Sequence, residues 1–351
     1  KKIKTQIFII LKAPLFLILI PLVIIIRLIS PWFLIRWGEI QSSRIGHFTK
    51  NTEIYLNEID AKINIPKNNF IDFLYLKNKN VANHQLEVMW RRRLKLWPKI
   101  IFNPIKIINV SMDNFFPTQK KHEINFTLRD KNNFLEKGRP HINFNQEEEA
   151  RGQKILKEFG VENNEKFICL LVRDSGYLKR HNDFLDKNYS RWSYHDYRNG
   201  NIDNYILACE ELAKRGYYIF RMGINVLKPL KSNNPKIIDY ANLNRSDFMD
   251  IYLGSKCTFC ISTAAGFDEI PNIFRRPIAY VGYTPIALIE THHKNSLIIT
   301  KKHINKQSKK ILSLKEIFLS NVGIALTANE FEKNNIELEE NKPEEIKDLV
   351  I

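Results

Sequence analysis

One short stretch concentrates groups that move protons and grip phosphate: His195-Asp196-Tyr197-Arg198-Asn199, preceded by Trp192 and Tyr194. Histidine and aspartate are general bases. An arginine fork matches phosphate oxygens, and aromatic faces can hold a base or sugar ring. Upstream, Arg173-Asp174, followed by Ser175-Gly176-Tyr177, adds a second arginine and a further candidate base, Asp174. Downstream, Ser262-Thr263-Ala264-Ala265-Gly266 places small and hydroxyl residues before a helix predicted to begin near Phe267. A helix start offers unpaired N–H groups and a positive dipole end, which is an anion site. Asp268 and Glu269 fall in its first turn, either complementing the dipole or bonding ribose and sugar hydroxyls. In Arg221-Met222-Gly223 the glycine admits close backbone approach, and the arginine either reaches a cleft or forms a structural ion pair. Near the start of the chain, Ser42-Ser43-Arg44-Ile45-Gly46-His47 contributes His47 as a fourth candidate for proton transfer, although lone histidines are more often structural.

These residues act together only if the fold collects them. Short apolar runs at Phe167–Val172, Tyr217–Arg221, Ile237–Tyr240, Thr258–Ile261 and Pro277–Val281 alternate with helical patterns at Gln146–Phe159 and Asp203–Arg215. Alternation with near-continuous apolar strands predicts a parallel sheet, and ligands bind beyond the carboxyl ends of such strands. All the downstream candidates follow strands. Ser175–Gly200 is long, polar and aromatic-rich, and loops of that length in compact domains are often functional. We expect it to close over a ligand.

Four segments are expected: residues 1–38, 39–152, 153–325 and 326–351. The first is read as a hydrophobic membrane anchor. Its charge-free run, Ala13–Ile26, is shorter than the roughly 20 residues that span a bilayer. Lysines precede it, Arg27, Arg36 and Arg44 follow, and Trp32 and Trp37 stand at its far end, as interfacial aromatics do. A shallow anchor or a tilted span both fit. In 39–152, strands are predicted at Glu53–Ile59, Phe70–Leu76 and Ile100–Val110, and a helix at His84–Lys95. The acidic tail 326–351 is expected to be peripheral or partly disordered.

Composition narrows the classes. The 351 residues are 44% hydrophobic, which excludes a disordered chain. Lysine and arginine number 54 against 38 acidic residues, a formal charge of +16 that calls for an anionic partner. The four cysteines, Cys169, Cys209, Cys257 and Cys260, lie in apolar stretches, so two buried thiols account for the one C-x-x-C better than zinc does. No metal site is expected.

The residues Arg173-Asp174-x-x-Tyr177, His195–Asn199, Arg221-x-Gly223 and Ser262-Thr263-x-x-Gly266, with Arg275-Arg276-Pro277, resemble a family of bacterial surface-glycan glycosyltransferases. Ser262 to Pro285 is also similar to the donor end of heptosyltransferases, although the glycine is displaced and Asp268 stands near where those enzymes often have histidine. The resemblance implies an α/β, GT-B-like architecture: two Rossmann-like domains facing a cleft, behind an N-terminal anchor. It implies metal-independent transfer from a nucleotide sugar, with no cofactor, to a lipid-linked or cell-surface glycan acceptor at the cytoplasmic face of the inner membrane. Membrane lipid would be a partner and nucleic acid would not. Donor contacts would come from Arg173, Tyr177, Arg198, Asn199, Arg221, Gly223, Ser262, Thr263, Gly266, Asp268 and Glu269, and the base from His195, Asp196, Asp174 or His47. Two other readings remain open. One is a non-catalytic membrane-bound protein that binds nucleic acid or anionic lipid. The other is a transferase of the same fold that moves pyruvyl or phosphoryl groups.

Overall fold

The computed structural model describes residues 18–113, 119–127, 129–180, 193–290 and 295–351. They divide into two compact units, one running to Ala82 and resuming over Glu87–Leu128, the other comprising Asn83–Leu86 and Arg129–Ile351.

In the first unit a helix over residues 18–29 (α1) leads into β1 (Phe33–Ile40). A wide helical turn, His47–Asn51, opens α2 (Thr52–Ala61). Then come β2 (Asn69–Leu76), α3 (His84–Arg93), α4 (Lys99–Met112) and the single turn α5 (Gln119–His122). β1 and β2 run parallel, Phe33 opposite Asn69 through Ile40 opposite Leu76. Parallel bridges set Glu123 beside Trp37 and Leu96 beside Leu74. In chain order the rows therefore lie fourth, first, second, third. This is one half of a doubly wound sheet, and the chain reverses direction at β1. Arg36 on β1 donates to both oxygens of Asp72 opposite it on β2, at 2.7 and 2.6 Å.

Three expectations change here. Residues 33–38 of the expected anchor belong to the sheet strand β1, and α1 turns Val23 and Ile26 onto a core shared with Trp37, Tyr75, Phe102 and Ile105. Residues 1–17 lie outside the described residues. Among those described, no helix is long and apolar enough to cross a membrane. The strands expected at Glu53–Ile59 and Ile100–Val110 are the helices α2 and α4. α2 is buried on every side from Thr52 to Glu58, so it shows no polar face to betray its period. In α4 the buried Phe102, Ile105 and Ile108 recur at helical spacing, but the outward Ile100, Ile107 and Val110 are equally apolar. Dense isoleucine then mimics a strand.

The second unit begins with the turn α6 (Phe134–Lys137) and α7 (Gln146–Glu158). The Asn145 side chain accepts from Glu148 N, and the Glu148 side chain accepts from Asn145 N, which closes the N-terminus of α7. It continues with β3 (Phe167–Leu171), the short α8 (Gly176–Arg180), α9 (Ile206–Lys214), β4 (Tyr218–Arg221), β5 (Ile237–Ile238), α10 (Asp247–Lys256), β6 (Cys260–Ser262), α11 (Glu269–Ile273), β7 (Ile278–Tyr283) and β8 (Leu297–Thr300). β9 (Lys302–Asn305), α12 (Leu314–Phe318), α13 (Ala328–Lys333), β10 (Ile336–Glu339) and α14 (Pro343–Val350) complete it. Six parallel strands lie in the order β5-β4-β3-β6-β7-β8, so the fold is α/β around a large parallel sheet. The order is that of a dinucleotide-binding fold, with its switch point between β3 and β6. Gly216, at φ +93°, ends the α9 segment where sequence placed the stop.

Residues 129–152 fold with this second unit, so the boundary expected at 152 falls inside it. The acidic tail, expected to be a peripheral helix or partly disordered, includes the helix α14 and also supplies a strand and core contacts. β10 pairs antiparallel with β9, and Ile346 of α14 enters the core beside Cys209 and Leu212 of α9. Apart from Glu340, most of its carboxylates face outward while Ile336 and Ile346 face inward, a pattern that a count of charges hides.

Candidate functional site

The switch point of the second unit is built from the ends of β3 and β6. Thr263, just past β6, accepts the Arg173 backbone N–H on its hydroxyl at 2.8 Å and so ties the two strand ends together. Past Thr263 the chain turns through Ala264, whose φ is +57°. Ser262 Oγ receives Ala264 N at 3.1 Å and donates to Asp268 at 2.9 Å, and Asp268 also accepts from Ala265 N at 3.0 Å. Asp268 thereby shapes the turn from within, being 4% exposed. Gly266–Asp268 is a single 3-10 turn before α11, and Glu269 accepts from the Asn272 side chain at 2.7 Å.

Over this turn lies Ser193–Arg198, itself a 3-10 helix. Gly200 N donates to the Arg173 carbonyl at 2.9 Å. The Arg173 guanidinium donates to the His195 carbonyl at 3.1 Å and to the Asn199 side-chain oxygen. Asn199 in turn donates to Asp196 at 3.1 Å. Arg198 crosses to the β6 side and donates to the Ala264 carbonyl at 2.6 Å. Its Nε is shielded from solvent and finds no hydrogen-bond partner among the described residues. Tyr197 turns away, donating to the Leu326 carbonyl at 2.6 Å and packing on Phe331; burial pushes its hydroxyl up to about 12. Arg173, His195, Asp196, Arg198, Asn199, Ser262, Thr263 and Gly266 are thus gathered at one strand-end site. Trp192 and the rest of the loop back to 181 lie outside the described residues.

Asp174 and Arg221 form a neighbouring framework. Asp174 accepts from Gly176 N and Leu227 N, each at 2.8 Å. Arg221 is 1% exposed, 3.3 Å from Asp239 and 3.9 Å from Asp174, and donates to the Lys228 carbonyl at 3.2 Å. Its guanidinium lies below the surface rather than in the opening. Gly223, at φ +144°, turns the chain beyond β4, and Tyr177 sits in α8.

Sequence reading missed Lys301, between β8 and β9. Its ammonium donates to the Asn199 carbonyl at 2.6 Å, from a polar recess it lines with Gly200, Tyr205, Thr263, Gly282 and Glu340. Burial lowers its pKa. No motif marks it, because it follows an ordinary apolar strand.

His47 belongs to the first unit. β1 ends at Ile40, and Ser42 anchors the departing loop by donating to the Asn78 carbonyl at 3.1 Å. His47 opens the wide turn His47–Asn51, a geometry frequent at functional sites. It therefore follows the carboxyl end of the strand at which that sheet reverses.

The four cysteines are reduced and buried, and no cluster of three or more metal-ligating side chains occurs among the described residues.

No family model and no curated protein matches the chain. Among solved structures it is similar to a glycosyl transferase family 9 protein from Veillonella parvula, with 7% identity, a TM-score of 0.45, and coverage of 76% of this chain and 85% of that one. It is also similar to the ADP-heptose LPS heptosyltransferase II of E. coli, with 10% identity, a TM-score of 0.32, and coverage of 75% and 90%. A UDP-N-acetylglucosamine 2-epimerase from Listeria monocytogenes gives 11%, 0.36, and 76% and 84%. Likeness this loose identifies no activity.

Proposed function

We propose that the chain is a GT-B-type glycosyltransferase that moves a sugar from a nucleotide-sugar donor to a lipid-linked or cell-surface glycan acceptor at the cytoplasmic face of the inner membrane. The reading is carried by the β3–β6 switch point of the second unit. There the Arg173 guanidinium, held by the His195 carbonyl and Asn199, and the Arg198 guanidinium, held by the Ala264 carbonyl, flank the strand ends that the Thr263 hydroxyl ties together, where a doubly wound sheet opens to ligands. Such a transfer breaks the bond from the sugar's anomeric carbon to the diphosphate, and the departing oxygens gain charge. Arginines already fixed in place stabilise that charge without reorganising. Arg198 suits this role best, having a donor still to satisfy among the described residues.

An inverting transfer also needs a base for the acceptor hydroxyl. His195 and Asp196 stand on the same turn as Arg198. Both oxygens of Asp174 already hold backbone amides, which suits support better than proton transfer. His47 is the alternative from the first unit.

Isothermal titration of the full chain with UDP-, GDP-, ADP- and CMP-linked sugars tests the reading. One class should bind, and Arg198→Ala should weaken that binding by roughly tenfold or more, the loss of one charge-assisted contact. No heat with any of the four would sink the proposal. Turnover then separates the bases: loss of a general base lowers kcat by about 100-fold or more with little change in donor affinity.

A further inference from the structure

We propose that α1 and α4 of the first unit together form a docking face for an anionic lipid bilayer, lying along its surface rather than crossing it. The inference shares the membrane setting of the proposed function but rests on none of its donor chemistry.

The two helices are joined from within. Arg27 of α1 donates to the Asn109 carbonyl at 3.0 Å and to its side-chain oxygen at 2.8 Å, and pairs with Asp113 at 3.2 Å. Val23 and Ile26 of α1 share one buried cluster with Phe102, Ile105 and Ile108 of α4. Their inner faces are thereby accounted for. A surface helix of a water-soluble unit should then turn polar residues outward. α1 does not: Ile18 (73% exposed), Leu22, Ile25 and Leu28 (67% exposed) recur at helical spacing on its open side, and Trp32 lies just beyond. α4 repeats the pattern with Ile100, Ile107 and Val110. Two adjoining helices with apolar outer stripes exceed the scatter of single apolar residues that any surface carries.

Charge selects the occupant. The chain carries +16, which opposes association with a second copy and favours an anionic surface. Lys99 stands exposed at the start of α4, and Lys95 and Arg93 precede it. An apolar face with basic residues at the start of one helix and an aromatic beyond the other matches an interfacial helix pair, whose apolar side enters the headgroup region while its cations meet lipid phosphates.

The test is flotation of the full chain, without nucleotide, on phosphatidylcholine vesicles with and without phosphatidylglycerol. The chain should float with the anionic vesicles, less with the neutral ones, and progressively less as salt rises. Leu28→Ser and Ile107→Ser, one on each helix, should each weaken partition by roughly tenfold, the loss of one large apolar side chain from a membrane contact. Because both positions are exposed, melting should be unchanged. A chain that stays with the aqueous fraction on anionic vesicles overturns the proposal, as does a stable dimer that binds no vesicle. Wild-type partition of Ile107→Ser overturns the two-helix face. The lipid and salt dependence of the unmodified chain decides the matter even if a variant folds poorly. Vesicle binding without nucleotide binding would remove the glycosyltransferase reading and leave this one, and the reverse outcome would do the opposite.

Discussion

Thr263→Val isolates the bond that closes the switch point. Valine keeps the shape of threonine but replaces the hydroxyl, which accepts Arg173 N–H at 2.8 Å, with a methyl. Thr263 is 4% exposed, so the orphaned amide gains little water in exchange. A buried donor left unpaired costs about 1–3 kcal/mol. Arg173 is half-buried, which places the expected loss in the lower part, about 1–2 kcal/mol. For a unit of this size each kcal/mol moves Tm by roughly 2–4 °C, so the transition should fall by about 2–8 °C. Circular dichroism is the assay rather than tryptophan fluorescence, because four of the five tryptophans, Trp32, Trp37, Trp90 and Trp97, belong to the first unit and would dominate the signal. Thr263→Ser retains the acceptor and should recover most of the loss. A valine variant melting within a degree of the parent, or a serine variant melting as low as valine, refutes the claim that this hydroxyl ties β3 to β6.

Gly152→Ala pits two effects against each other. In a free helix alanine gains about 1 kcal/mol over glycine, but here its Cβ would lie 2.2 Å from the ring of Tyr252, which is 2% exposed. Overpacking of that kind costs typically about 1–3 kcal/mol, so thermal melting should show net destabilisation, and a rise in Tm would refute the packing. Burial holds His122 and His303 below the ordinary imidazole value of 6.5. Unfolding lets each bind a proton the folded state refuses. Their contribution is complete above 6.5 and is lost as pH falls from there through the depressed folded values, at up to about 1.4 kcal/mol per pH unit for each. Urea titrations should therefore show stability falling with acidification across that window, and less steeply in His303→Gln.

Much of the second unit was legible because its local signals agree with its packing. The helix read over Gln146–Phe159 forms with its start closed by Asn145 and Glu148, Gly216 stops its helix, and the strand Phe167–Leu171 is a pure apolar run because both faces of the sheet are covered. β8 escaped notice because Leu297–Thr300 is short and half-exposed, and Lys301 went with it. In the first unit the period itself failed. α2 is buried all round although rich in polar groups, and α4 carries isoleucine and valine on its outer side as well as its inner one, so neither shows the clean two-faced pattern on which helix reading depends. β1 was hidden in the apolar stretch that precedes it. The residues of the candidate site were visible by chemical type. Which of them face an opening and which brace it was not, because Arg221 and Arg198 look alike until one is seen paired with carboxylates and the other with a carbonyl.

The ion cluster of Arg221 has a bearing on how this site can diverge. Its cation reaches Asp174 after β3, the Lys228 carbonyl after β4 and Asp239 after β5. Three connections that could otherwise drift independently are bound to one shared charge. Replacing Asp174 would release two amides as well as the arginine, and no single substitution in the β4 or β5 connection restores them. On this side of the sheet, variation among descendants should be confined to side chains above the cluster, with insertions excluded. On the β6 side the turn is braced internally through Ser262 and Asp268; its outside ties are the Thr263 hydroxyl to Arg173 N–H and the Ala264 carbonyl, which any residue supplies, so beyond Thr263 that turn can change as a cassette. Selection for a new ligand would therefore find its easiest path through residues 264–268, with Thr263 and the Arg221 side conserved as scaffold.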